Sequence, residues 1–449
     1  MLSPEAARDK VAALVDLARH KGADAADAIY VGEGSSGVSV RLGALEDVQR
    51  SESESIGLRV FLGTRSASIA ASDLAADTLD ALAGRALAMA REAPEDPYAG
   101  LAPDEMLMRE PPRDLDLYDG AEPDPADLRE RALTAEDAAR AVCGVTNSNG
   151  ASASASLSSL ALATSHGFSA ATRSSGHSCS ASVVAGEGSG MQRDYAWHSA
   201  RHLEDLEDAA EIGRRAGERT VARLNPVRVA PGTMPVLFDA RVATSLLGHF
   251  IGAISGASIA RQSSFLLDAL GSQVFAKGVM IEDDPFRRRG LRSRAFDGEG
   301  LNVAPSRLID DGILLAWIAD SAAARQLGIA PTGHAVRGAG GGAPGVGPSN
   351  LTLAAGSRRR EEMIAGIANG ILVTELIGQG VNGVTGDYSR GAAGFLIVNG
   401  EVGPPVSEIT IASNLKAMFA TLEPASDLHL RRGIDSPTVL VPEMTVASA

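Results

Sequence analysis

Two histidines four residues apart, His198 and His202, have the spacing that puts imidazoles on one face of a helix, where a divalent metal is commonly gripped. Their surroundings argue otherwise. Tyr195-Ala196-Trp197-His198 reads as a strand end, a helix starts only near Leu203, and Ser199 stands where a metalloprotease helix carries Glu. Both therefore read as exposed histidines of a strand-to-helix loop. His166 and His177 lie in a Ser-rich stretch with no carboxylate close by in sequence, and read as structural. Asp283-Asp284 and Asp310-Asp311 read as turn residues, the second pair supported by Gly312. No Gly-x-Ser-x-Gly elbow presents a nucleophilic serine. The run Gly338–Gly347 lacks the Gly-Lys-Ser/Thr of a phosphate loop and reads as a flexible or ligand-covering loop. One polar concentration remains, Asp387-Tyr388-Ser389-Arg390. Its carboxylate, phenol, hydroxyl and guanidinium either line a peptide groove or pin a turn through side-chain hydrogen bonds.

The elements that position these residues follow from periodicity and punctuation. Ser3 and Pro4 start a helix over about 4–20, with Val11, Leu14, Val15 and Ala18 on its apolar face. Strand-like pieces follow at 26–31, 37–42, 45–51, 56–62 and 65–71. Ser72 is expected to cap a second helix with Leu79, Leu82, Ala86 and Met89 inward. Residues 93–125, rich in Pro and Asp, read as a long loop or linker, and a helix spans about 125–141. The Ser, Ala and Gly of 148–190 read as small-residue strands with turns at Gly167 and Gly176. A charged helix over 204–224 carries Ile212, Ala216 and Leu224 inward. Asn225-Pro226 and Pro231-Gly232 then break the chain, and a domain boundary falls there. Beyond it come a strand at Met234 to Phe238, an almost wholly apolar helix over 240–260 that reads as buried, and strands alternating with short helices. Phe395 to Val398 ends in Asn399-Gly400, a two-residue hairpin signal.

Composition narrows the function. A chain of 449 residues, 45% hydrophobic and 22% charged, has ample core for two or three domains. Its net charge of -15 opposes binding to nucleic-acid phosphates. The one basic cluster, Arg287, Arg288, Arg289, Arg292 and Arg294, lacks interleaved aromatics and reads as a solvated loop. No apolar run is long enough for a membrane span, and no secretory pattern opens the chain. Cys143 and Cys179 form no paired motif, which suits a reducing cytoplasm.

A set of ordered motifs carries a family resemblance. They are Gln192-Arg193-Asp194-Tyr195, Leu246-Leu247-Gly248-His249, Phe265-Leu266-Leu267-Asp268, Asp311-Gly312-Ile313-Leu314, Pro331-Thr332-Gly333-His334, the glycine-punctuated 379–400 stretch, and Val406-Ser407-Glu408-Ile409-Thr410-Ile411. From about residue 190 onward the chain resembles the TldD/PmbA family, in particular its PmbA or TldE branch. The N-terminal part fits more loosely. The resemblance implies an α+β protein of two domains and a role in cytoplasmic peptide proteolysis. Residues 1–226 would form an α+β domain with a mixed sheet and helices. Residues 227–449 would form a domain on a largely antiparallel, barrel-like sheet with a buried helix.

In the TldD branch a His-Glu-x-x-x-His motif on the buried helix, with a later Cys, holds zinc, and the Glu activates the metal-bound water. On this sequence that motif falls on Thr244-Ser245-Leu246-Leu247-Gly248-His249, and no cysteine follows Cys179. Three of the four groups are missing, so the resemblance implies no cofactor in this chain and zinc in a TldD-type partner. This chain is then a structural or regulatory subunit of a heterodimer or higher assembly acting on unfolded peptides, with His334, Asp387, Tyr388, Ser389 and Arg390 as groove or interface candidates. Two other readings stay open. One is a self-contained hydrolase using Asp387, Ser389 and His334. The other is a homodimeric peptide-binding protein.

Overall fold

The computed structural model describes residues 1–338 and 340–448, so Ala339 of the glycine-rich run lies outside the described residues. Helix α1 (Pro4–His20) begins where Ser3 Oγ accepts from the Ala6 amide at 3.2 Å, and it buries Ala7, Val11, Leu14, Val15 and Ala18. Strands β1 (Ala25–Arg41), β2 (Ala44–Leu62) and β3 (Arg65–Ala71) follow, then α2 (Ala76–Glu92). The separate strand pieces read from sequence are continuous, because β1 and β2 pair antiparallel through their polar middles. Helix α2 starts at Ala75 without a side-chain cap, not at Ser72, and Met89 faces solvent. After α3 (Pro125–Arg140), the Ser-rich stretch forms β4 (Val145–Thr164) and β5 (Ser169–Ala185), followed by β6 (Gln192–Ala200) and α4 (Ala209–Ala222). Ser152 meets Ser180, and Ser154 meets Ser178, through hydroxyls 2.9 Å apart across the β4–β5 pair. Gly167 makes a turn at φ +100°, whereas Gly176 lies inside β5. Asp208 caps α4, so that helix starts later than the pattern suggested, and Leu224 lies beyond its end.

These six strands form one sheet, in the order β3-β2-β1-β4-β5-β6, and every pairing is antiparallel rather than mixed. Residues 93–125 are irregular apart from one short turn of 3-10 helix, but they are packed. Leu107, Met108 and Leu115 are buried, and the Met108 amide donates to Gly300 O.

The second half runs through β7 (Gly232–Phe238), α5 (Ala240–Ala253), α6 (Gly256–Ala260), β8 (Ile281–Asp284), β9 (Ser306–Asp310), β10 (Ile313–Leu314) and α7 (Ser321–Leu327). It continues with β11 (Ala335–Val336), β12 (Gly345–Val346), β13 (Asn350–Leu353), α8 (Arg360–Ala365), β14 (Asn369–Ile377), β15 (Asp387–Val398) and β16 (Glu401–Asn414). It ends with α9 (Leu415–Thr421), β17 (Glu423–Pro424), β18 (Ile434–Asp435) and β19 (Val439–Ser448). Strands β16-β15-β14-β7-β19 close into a five-stranded barrel through the β16–β19 pairing; β7 and β14 run parallel and the other pairs antiparallel. Closure removes free edges here. Asn399 and Gly400 hold φ of 50° and 82° between β15 and β16, as a two-residue turn of this hand requires. Phe238, Leu246, Phe250, Tyr388, Ile411 and Phe419 belong to one core that joins α5 to the barrel. Among the described residues no helix is long and apolar enough to cross a membrane.

The arginine cluster is not a solvated loop. Arg287 pairs with Asp435 at 3.0 Å, Arg288 and Arg289 pair with Asp116 at 2.9 and 2.6 Å, and Arg289 also reaches Glu204 and Asp205. Arg294 donates to Gly347 O at 2.8 Å. Arg288 and Arg289 stitch the second half to the first, while Arg287 and Arg294 bind within the second half, and all four find partners too far away in sequence for the pattern to show.

Candidate functional site

Helix α5 is two-faced. Asp239 caps it, accepting from the Arg241 amide at 3.1 Å. Ala243, Leu246, Leu247, Phe250 and Ala253 go into the core, while Arg241, Thr244 and Ser245 line a cleft of about 450 Å³. The helix expected to be buried throughout therefore shows one face to a cavity. The opposite walls are Asp194 and Tyr195 of edge strand β6, Thr374, Glu375 and Leu376 of β14, Arg390 of β15, and Arg432. Thr374 sits where the β14–β15 register slips between Val373 and Glu375, and a bulge of that kind re-aims side chains.

Charge in the cleft is partly balanced. Arg241 holds Asp194 with two bonds of 2.8 and 2.9 Å, and Arg223 lies 3.4 Å from Asp194 and 2.5 Å from Glu375. Burial pushes the Asp194 carboxyl up, but the Arg241 bonds and charge outweigh it and hold it below the usual carboxylate range. Four polar atoms nearby have no hydrogen-bond partner among the described residues: His249 Nε2, Tyr388 Oη, Arg390 Nε and Thr374 Oγ1. His249 meets the Tyr388 ring edge-on with centroids 6.0 Å apart. Burial, and then the Arg390 charge, push the His249 pKa down. Burial pushes the Tyr388 phenol up to about 12, with Arg390 opposing. Orphaned buried polar atoms are scarce in native folds, so four of them near one cleft single it out as the candidate site.

The remaining sequence candidates go elsewhere. Asp387 is exposed at the start of β15, bonded to Thr385 and Asn414, and Ser389 faces solvent. Thus Asp387 pins a turn, while Tyr388 and Arg390 point inward on alternate positions of the same strand. His334 is buried with Nε2 3.4 Å from Asp283 and Nδ1 2.9 Å from Thr332 Oγ1, so the bonds of His334 do not join it to Asp387 or Ser389. Asp283 is accordingly a buried strand residue and not a turn residue, whereas Asp311 and Gly312 do make a turn, at φ 47° and 79°. His202 is buried against Asp116, and His198 accepts from the Glu207 amide, so neither is an exposed loop histidine. His177 meets the Asp119 carboxylate at 2.9 Å, a partner 58 residues away. His166 bonds Thr164 and the Ala102 carbonyl.

Models of the PmbA/TldA metallopeptidase family match this chain in three consecutive parts. Domain 1 covers residues 26–90, the central domain 118–224 and the C-terminal domain 231–448. Metalloprotease PmbA of Escherichia coli O157:H7 is 39% identical over 441 residues, spanning 98% of this chain and 95% of that one. The chain belongs to the PmbA/TldD family. The fold agrees with two solved structures. A candidate modulator of DNA gyrase from Bacteroides thetaiotaomicron superposes with a TM-score of 0.91 at 26% identity, covering 100% of both chains. TldE of Thermococcus kodakarensis gives a TM-score of 0.87 at 20% identity, over 98% of this chain and 100% of that one, a likeness of fold alone.

Within a PmbA/TldD chain, the positions that the resemblance assigns to zinc are Thr244, Ser245 and His249, and they do not fit the ion. They supply two hydroxyls and one imidazole, where zinc takes thiolate, imidazole or carboxylate. Ser245 Oγ is already engaged, donating to Val242 O at 2.7 Å. Arg390 shares the cleft, and its positive charge opposes a bound cation. No group of three or more His, Cys, Asp or Glu able to hold a metal ion occurs among the described residues. Sequence reading missed Arg241, Asp194 and Thr374. A Gln-Arg-Asp-Tyr motif with an arginine near the start of the apolar helix was the available signal for the first two; the bulge at Thr374 had none.

Proposed function

We propose that this chain is the non-catalytic member of a TldD/TldE-type cytoplasmic peptidase, working beside a zinc-bearing TldD-type homologue in the proteolysis of unfolded peptides or peptide precursors. The observation that carries this reading is the cleft face of α5. Thr244, Ser245 and His249 beside Arg390 offer one imidazole and a nearby cation where a hydrolytic zinc centre needs three protein ligands and an open position. The chemistry then belongs to the partner, and this chain shapes the chamber and holds substrate. Edge strand β6 supports that role: among the described residues it pairs only with β5, and it delivers Asp194 and Tyr195 to the cleft. An extended peptide added to such an edge is held by its backbone, whatever its sequence.

The test is expression with and without a homologue carrying the complete His-Glu-x-x-x-His motif. An unstructured peptide is expected to be cut by the mixture and not by this chain alone, with zinc following the partner. Turnover by the isolated chain that vanishes in Asp387→Asn or Ser389→Ala would overturn the reading in favour of a self-contained hydrolase.

A further inference from the structure

The cleft beside α5 holds positive charge that the chain's own carboxylates do not cancel. Arg390 is 8% exposed, its Nε has no hydrogen-bond partner, and no carboxylate among the described residues pairs with it. Arg432 lines the same cleft, stacked over Trp197 at 5.0 Å and donating to the Arg241 carbonyl at 3.2 Å, also without a carboxylate within ion-pair distance among the described residues. The two acids of the cleft are already engaged, Asp194 by Arg241 and Glu375 by Arg223. Thr374, 8% exposed, adds a buried hydroxyl with no partner. A guanidinium kept out of water needs an anion, and its planar fork matches a carboxylate through two parallel bonds.

We propose that this cleft is a carboxylate-binding subsite, in which Arg390, with Arg432 and Thr374 beside it, takes the carboxylate of a peptide that lies along the β6 edge. The carboxylate is either the free C-terminus of that peptide or an acidic side chain; both present the same two oxygens to the guanidinium. The proposal rests on the reading of the chain as a peptide-handling subunit and adds which end or residue of the peptide the subunit reads. Thr374 supplies a hydroxyl donor to one oxygen, and the Arg241–Asp194 pair forms a neutral wall. The positions a metal would occupy in a catalytic homologue thus lie next to a site of opposite preference, built for an anion.

Isothermal titration of the full chain with three N-acetylated peptides of one uncharged sequence tests this. The first has a free C-terminus, the second a C-terminal amide, and the third the amide with one internal Asp. At least one carboxylate-bearing peptide is expected to bind roughly 30-fold or more tightly than the plain amide, and whichever does so identifies the source. Arg390→Met should erase that preference, so that the three peptides bind the variant alike, and Arg390→Lys should keep part of it. Equal affinity for all three peptides, or no binding of any, overturns the proposal with no variant needed, as does an Arg390→Met chain that keeps the preference. These outcomes are separable from the subunit reading: turnover by the isolated chain would remove that reading and leave a measured carboxylate preference standing, whereas loss of the preference would do the reverse.

Discussion

Replacing Arg241 by Met strips Asp194 of its main partner. The Asp194 side chain is 3% exposed and accepts both bonds from Arg241, at 2.8 and 2.9 Å. Removing one member of a buried pair typically costs about 3–5 kcal/mol, because the other charge stays buried. Here Arg223 at 3.4 Å and the Tyr195 amide at 2.7 Å remain, so the loss should lie at the low end, about 3 kcal/mol. The pH dependence has a definite sign. Burial alone would raise this carboxyl, and Arg241 reverses that, so the folded pKa lies below 3.8. The pair's contribution is therefore present above 3.8 and lost as pH falls through the folded value. Without Arg241, burial wins and the carboxyl rises, so the gap between variant and native chain should be widest near neutral pH and close in acid. Urea unfolding followed by the fluorescence of Trp197 and Trp317 reads this as a lowered midpoint at unchanged slope. The double variant Asp194→Asn with Arg241→Met, which buries no unpaired charge, should recover most of the loss. An Arg241→Met chain within about 0.5 kcal/mol of native at neutral pH, or a double variant weaker still, would refute the reasoning.

Three further outcomes are expected. A Cβ at Gly394 would lie 1.9 Å from Leu372 O, whereas one at Gly383 meets nothing within 4 Å; Gly394→Ala should cost about 3 kcal/mol or more, and Gly383→Ala under about 0.5, in chemical unfolding, and equal costs would contradict this. Burial and then the Asp297 charge push Glu299 up from 4.5 to about 7, so its contribution to stability is full below about 4.5 and fades as pH rises through about 7. Glu299→Gln should flatten the melting temperature across that interval, and an unchanged slope would count against the assignment. The His249 imidazole should titrate below 6.5 by NMR and move upward in Arg390→Met, since the guanidinium is one of its two causes of depression; no movement would mean that the two side chains are not coupled.

Much of the scaffold was legible because local chemistry and burial agreed. Ser3-Pro4 followed by Val11, Leu14 and Val15 specifies α1 by cap and period, and Asn399-Gly400 specifies its hairpin by backbone sign. Alternation alone located β4 and β5, since small residues leave period two as the only signal. The continuity of β2 was hidden, because residues 44–53 are all exposed and carry no apolar pattern. The arginine cluster was misread for a different reason: Arg288 and Arg289 find Asp116 more than 170 residues away. In the site, alternation along β15 separates Tyr388 and Arg390 from Asp387 and Ser389, although all four share one motif. The strand sends two side chains to the cleft side and two to water, a division that a turn reading could not supply.

The cleft face of α5 is tested most directly by metal content. Elemental analysis of the purified full chain, saturated with zinc and then freed of loosely held ion, should find far less than one zinc per chain, unchanged by His249→Ala. One tightly held zinc per chain that His249→Ala releases would contradict it, because Thr244, Ser245 and Arg390 would then be neighbours of a working metal site.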